Sequence, residues 1–231
     1  MNDALDPTGG WAKATEETAK ASKEAIRASR ELGRFIRGPA GEVVGMFEDH
    51  LKVVRFERQV RLWTRVRNIL TEKGMDGPTR RIALNIGLPL LENATLEEDA
   101  ALQEVWARLL VNSGDANSGI EPRRAFGSVL AEMSALDVRN LAQIELAVKL
   151  NVESDWSTGV RTYELPERAI PYVNGVPDGH ERDPSPEVEI SLSNLDRLGC
   201  IITSLKTPLG PGHQLVNLTP FGRALIEACT R

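Results

Sequence analysis

The sequence predicts a mainly α-helical protein, and three observations carry that expectation. Residues Ile82 to Gly114 hold two consecutive helical patterns. The second places Leu102, Val105, Trp106, Leu109 and Leu110 at the i, i+3, i+4, i+7, i+8 spacing of one buried face. Residues 11 to 37 are rich in Ala, Glu, Lys and Arg, residues that lose little freedom in a helix. Strand signals are confined to short runs late in the chain, one at Val160 to Leu165 and two on either side of a Pro- and Gly-bearing turn.

The totals set the frame for these elements. With 231 residues, 41% hydrophobic and 26% charged, the chain has the composition of a globular protein and enough length for one large domain or two small ones. Aromatic residues make up only 5%, so those at periodic positions are expected to anchor packing. Leu102, Trp106 and Leu109 are the expected core anchors. The net charge of -5 argues against a protein that coats nucleic acid by bulk charge. Cys200 and Cys229 fit a reducing compartment, as two small buried side chains without a motive for a disulfide. The start MNDALDPTGG has neither the basic nor the apolar region of a secretory signal, and no uncharged apolar run approaches the ~20 residues of a membrane span. The expected location is the cytoplasm, with a peripheral place at the inner membrane as the alternative.

Taken in order, residues 1–40 read as an Ala-rich helical arm. Ala14, Thr18, Ala21, Ala25, Ala28, Leu32 and Phe35 recur at heptad steps, with charge pairs Glu16/Lys20 and Arg27/Glu31 at i,i+4. A seam of small residues buries little area, so the arm reads as solvated, as a coiled contact or as a membrane-surface helix. Gly38-Pro39-Ala40-Gly41 breaks it, and a core domain over 41–133 follows.

That domain opens with a helix expected from about Glu42 to Lys73, stopped by Gly74. Phe56, Val60 and Trp63 share one side of it, Arg58, Arg61 and Arg65 fall roughly opposite, and Arg55 flanks them. These four arginines form the candidate ridge for an anion or a partner, or else a solvated face paired with nearby acids. Pro78 and Thr79 are expected to start the next helix, with a kink at Pro89 and apolar residues on both sides. Thr95 then reads as an N-cap reciprocated by Glu98, with Glu97, Glu98 and Asp99 at the positive end of the helix dipole. Asn112-Ser113-Gly114 supplies the stop, Asp115 to Pro122 is loop, and Arg124 to Met133 is a short helix with Phe126, Val129 and Leu130 inward.

From 134 to 231 the pattern is that of a winged-helix-like module with a small β-hairpin. Ser134 caps a helix with Leu136, Leu141, Ile144, Val148 and Leu150 apolar. A Pro/Gly-rich loop over about 151–186 holds one short strand at Val160 to Leu165. A helix from Glu187 to Gly199 leads to strands Cys200 to Leu205 and Gln214 to Leu218 around the turn Pro208-Leu209-Gly210-Pro211-Gly212. Thr219 caps the last helix with Pro220 at its first position.

Three stretches carry a family resemblance: PLLENATLEEDAALQEVWARLLVNS, MSALD at Met133 to Asp137, and LTPFGRALIEAC near the end. Together they resemble the Abi-alpha family of prokaryotic abortive-infection proteins, from about Met46 onward. The arm before it and the loop around Gly175 to Pro184 are not covered. The resemblance implies a role in bacterial defence against phage, by arresting or killing the infected cell, and brings no established catalytic residues with it.

The residues themselves point to no reaction. His50, His180 and His213 are scattered, without cysteine or carboxylate partners at metal-ligand spacing. No GxSxG elbow, Walker loop or dinucleotide fingerprint occurs. Glu97, Glu98 and Asp99 suit a first helical turn better than a metal site. The expectation is therefore no catalytic, cofactor or metal site and no small-molecule substrate. Acidic residues outnumber basic ones from Ser134 onward, and the helix placed as a recognition helix has Glu187, Glu189 and Asp196 against a lone Arg197. A duplex would meet like charge there, so nucleic acid is disfavoured, and a protein partner or a second copy is expected in its place.

Overall fold

The computed structural model describes residues 20, 23, 24, 26–36, 56–150, 159–172, 183–203, 206, 207, 210, 211 and 213–230. The chain divides into two compact units, Met1–Asn117 and Ser118–Arg231. The short helix after Arg123 lies within the second unit, where Phe126 packs against Phe221 in a tilted pair with ring centroids 5.7 Å apart.

The first unit is helical. Its α1 takes in the described residues 20, 23, 24 and 26–33, followed by α2 (Phe56–Glu72), α3 (Leu84–Leu96) and α4 (Ala100–Gly114). The end of the arm is neither solvated nor frayed: Ala28, Leu32, Phe35 and Ile36 are buried. Ile82 N–H donates to the Phe35 carbonyl at 2.7 Å, and Ile36 bridges Ile82 in parallel. The arm approaches so closely that a Cβ on Gly87 would stand 2.9 Å from Ile36 Cγ1, and one on Gly114 would stand 2.6 Å from Phe35 Cδ1. Gly114 is therefore required by space, while the helix end itself falls at an extended Asp115. The arm's Ala14, Thr18, Ala21 and Ala25, and the break at Gly38-Pro39-Ala40-Gly41, lie outside the described residues.

Helix α2 stops where its glycine dictates. Gly74 adopts φ +66, its N–H donates to Thr71 O at 3.0 Å, and Met75 N–H donates to Leu70 O at 2.8 Å, the paired bonds of a Schellman ending. Two starts differ from expectation. Thr79 and Arg80 donate their backbone N–H groups to Gly114 O at 2.9 and 2.8 Å, so 78–83 is held by tertiary bonds and α3 begins only at Leu84. Thr95 lies inside α3, its hydroxyl donating to Glu92 O at 2.9 Å. The N-cap of α4 is Asp99, whose Oδ1 accepts from Ala101 N and Leu102 N at 2.8 and 2.9 Å. Asp99 wins because α3 continues through Pro89 to Leu96, which leaves Thr95 in helical conformation. Nor is α3 apolar all round in use: Leu90 and Leu91 are buried, but Leu84 and Leu96 are exposed.

The second unit holds α5 (Arg124–Leu130), α6 (Ala135–Leu150), α7 (Pro186–Arg197) and α8 (Pro220–Thr230). Its antiparallel sheet has the order β2-β1-β6-β3, with β1 Val160–Arg161, β2 Ile170–Pro171, β3 Ile201–Thr203 and β6 Leu215–Leu218. Val216 sits opposite both Val160 and Thr203 and is fully buried. The short pair β4 (Lys206–Thr207) and β5 (Gly210–Pro211) lies between β3 and β6 in the chain. Three side chains cap its helices, and two of them, Ser134 and Thr219, are the caps expected from sequence. Ser134 and Asp137 exchange backbone bonds, Asp137 N–H to Ser134 Oγ at 3.2 Å and Ser134 N–H to Asp137 Oδ2 at 2.7 Å. Ser185 Oγ accepts from Val188 N, and Thr219 Oγ1 accepts from Gly222 N at 2.9 Å.

Strand β2 falls inside the stretch expected to be loop. A two-residue strand has no periodicity of its own, and its partner Val160–Arg161 fixes it from across a turn. The inward face of α6 also differs. It buries Asp137, Asn140, Leu141, Ile144, Glu145 and Ala147, whereas Leu150 is exposed. Cys200 and Cys229 are buried free thiols, both raised to about 12. Desolvation is the main cause for each, reinforced by the Asp137 charge at Cys200 and by Cys200 at Cys229.

Candidate interaction surfaces

The arginines of α2 do not form an open ridge. The buried side of α2 is Gln59, Leu62, Val66, Ile69 and Leu70, with Val60 and Trp63 half-buried. Arg58 and Arg65 thereby stand roughly a quarter turn from the centre of the buried face, on its rim and not opposite it. Arg58 donates to Leu96 O at 3.1 Å and pairs with Glu98. Arg65 donates to Gln103 Oε1 at 3.2 Å and pairs with Glu104 at 3.3 Å. Arg108 continues the series, 3.1 Å from Glu104 and 3.9 Å from Glu72. The contacts 58–98, 65–104 and 72–108 advance along both helices together, so α2 and α4 run parallel and α3 is the return between them. Arg61 is exposed, and Arg55 lies outside the described residues.

The core anchors are placed beneath this clasp: Leu102, Trp106 and Leu109 are all buried, Trp106 at 1% exposure. Two buried donors on the same helix, Gln103 Nε2 and Trp106 Nε1, have no hydrogen-bond partner. The far end of α4 is closed from outside, with Arg80 donating twice to Ser113 O at 3.1 and 2.9 Å. Glu97, Glu98 and Asp99 precede the first turn of α4, a turn that itself holds no acid: Glu97 ends α3 and its Oε1 accepts from Glu98 N and Asp99 N at 2.9 Å each, while Asp99 is the N-cap. His50 and His180 lie outside the described residues, and His213 is buried with Nδ1 3.5 Å from Glu189 Oε1. Among the described residues no three His, Cys, Asp or Glu gather as a metal site.

In the second unit the seam between α6 and α7 is polar. Asn140 Nδ2 donates to Ser191 Oγ at 2.9 Å. Asn194 Nδ2 donates both to Asp137 Oδ2 at 3.1 Å and to Glu132 O at 3.0 Å. Such bonds fix the rotation of α7 about its own axis, because turning it would strand buried donors and acceptors. The outer face so fixed presents Pro186, Glu187, Ile190, Ser193 and Arg197. Ile190 is 73% exposed, and Arg197 is taken by Glu132 at 2.8 Å. On β3, Ile202 is 53% exposed. Periodicity alone gave no sign that Ile190 faces water; its place follows from the polar residues drawn inward at Ser191 and Asn194.

Among the described residues no helix is long and apolar enough to cross a membrane. No curated protein and no solved structure matches the chain. The family model for abortive infection alpha matches residues 57–229. That span reaches from the first turn of α2 to the last turn of α8 and includes the α2–α4 clasp, the polar α6–α7 seam and the whole sheet. The chain therefore belongs to the abortive infection alpha family.

Proposed function

We propose that this chain is a cytoplasmic phage-defence protein that works without catalysis, through a protein contact made by its second unit. Family membership supplies the setting. The observation that carries the mode of action is the outer face of α7, where Ile190 stands exposed beside Glu187 while bonds beneath hold the helix in one orientation. An exposed aliphatic side chain on a rigid helix is an anchor for a partner pocket, and a preformed face loses little ordering entropy on binding.

The strand order β1-β6-β3 behind α6 and α7 supports a winged-helix-like reading of this unit. Its charge favours protein over duplex. The outward face of α7 has Glu187, and its one arginine is already paired with Glu132. A helix reading a groove needs several free donors for phosphates and base edges.

Phage challenge of cells expressing the wild type and the Ile190→Asp variant tests the reading. The wild type should lower plaque counts, and the variant should restore them with an unchanged melting temperature, since the side chain supports no core. Equal plaque counts with and without the wild-type chain would reject the defence role. Protection by Ile190→Asp equal to wild type would reject the surface.

A further inference from the structure

Among the described residues of the first unit, α1 carries a run of cations on one side. Ala28 and Leu32 mark the buried side of α1. Lys20, Lys23, Arg27 and Arg30 all lie on the other side, exposed, at steps of three, four and three residues. That spacing draws one stripe about 15 Å long at ~1.5 Å per residue. Among the described residues none of the four makes an ion pair or a hydrogen bond. The acids of the helix do not serve them: Glu31 is taken by Arg34 at 2.7 Å, and Glu24 is on the flank near the buried side. Along one edge of the stripe, a turn before Arg30, Ile26 is 47% exposed.

We infer that this stripe docks the chain on an anionic bilayer surface, its cations on lipid headgroup phosphates and Ile26 at the edge of the acyl region. Three features favour that occupant. The stripe is the convex outside of a helix packed on its own core, which suits a broad surface and offers no groove. It has no aromatic side chain on which a nucleobase can stack, and an isoleucine gains nothing against a sugar-phosphate backbone. Unmatched lysines and arginines without a shaped pocket suit a fluid surface, whose anionic lipids gather beneath them while the aliphatic stems lie along the headgroups. Because the apolar side of α1 is occupied by Leu32 and Ala28 packing inward, the docking is shallow, reversible and sensitive to salt.

Co-sedimentation of the full chain with phosphatidylcholine vesicles, with and without phosphatidylglycerol, tests this. Binding should require phosphatidylglycerol and disappear at high salt. Each cation removed should weaken it by about fivefold, so the pair Lys23→Gln with Arg27→Gln should lose about thirtyfold. Arg81→Gln, an exposed charge away from the stripe, should leave binding unchanged. All these residues are exposed, so melting temperatures should stay the same; the pair Lys20→Gln with Arg30→Gln repeats the test should the first pair unfold. Equal binding to neutral vesicles, or wild-type affinity in both paired variants, would overturn the inference. Tighter retention by duplex DNA or polyglutamate than by anionic vesicles would overturn it in favour of those partners.

Discussion

Two pairs of helices in this protein solve the same problem in opposite ways. Where α2 meets α4 the seam is mainly aliphatic and the ionic groups stand along its rim, Arg58 with Glu98 and Arg65 with Glu104. Where α6 meets α7 the polar groups are inside, Asn140 on Ser191 and Asn194 on a buried Asp137. Rim charges remain hydrated and contribute little, while groups enclosed in a seam must be matched or they destabilise. The first arrangement supplies stability through packing. The second supplies orientation, and the orientation is what exposes Ile190.

The sharpest way to break the comparison is at the aliphatic seam. Trp106→Ala should lose about 3–5 kcal/mol in denaturant unfolding, the range for a buried aromatic removed from a core. Its indole N–H has no partner, so the loss is packing alone. A loss below about 1 kcal/mol would mean that the neighbouring helices close over the gap. Next comes the polar seam. Asn194→Ala should lose about 1–3 kcal/mol, because the buried Asp137 carboxylate gives up one of its donors. Measuring it together with Ser191→Ala, removed from the same seam, should show non-additive losses. The smallest effect is expected on the rim, where Arg58→Ala should stay within about 1 kcal/mol, its partner Glu98 being mostly exposed. A loss at Arg58 equal to that at Asn194 would erase the distinction between rim and seam.

What could be read ahead of the coordinates was whatever is decided within one helical turn. The cap at Ser134, Thr219 before Pro220 and the stop at Gly74 are set by neighbours three to five residues away, and each is found as expected. What could not be read was decided by distant chain. Thr95 and Glu98 have the spacing of a capping box, yet the length of α3 hands the cap to Asp99. The buried side of α2 was misplaced because Gln59 lies inward, accepting from Ser29 on α1 at 3.1 Å, while the more hydrophobic Trp63 stays half-exposed. That rotation is why the arginine ridge became a clasp. The stripe on α1 is masked in the sequence by its own acids: Arg27 and Glu31 have the i,i+4 spacing of a charge pair, yet Glu31 takes Arg34 and leaves Arg27 to the exposed side.

The parallel course of α2 and α4 bears on how the chain matures during synthesis. Contacts such as Arg58 with Glu98 span 40 residues, and helices that run the same way cannot meet as a simple hairpin. As the polypeptide leaves the ribosome, α2 emerges with its aliphatic side bare and must wait for both the return segment and α4 before it is covered. The interval is a matter of seconds at ordinary elongation rates, and during it the growing chain depends on whatever else will shield that side.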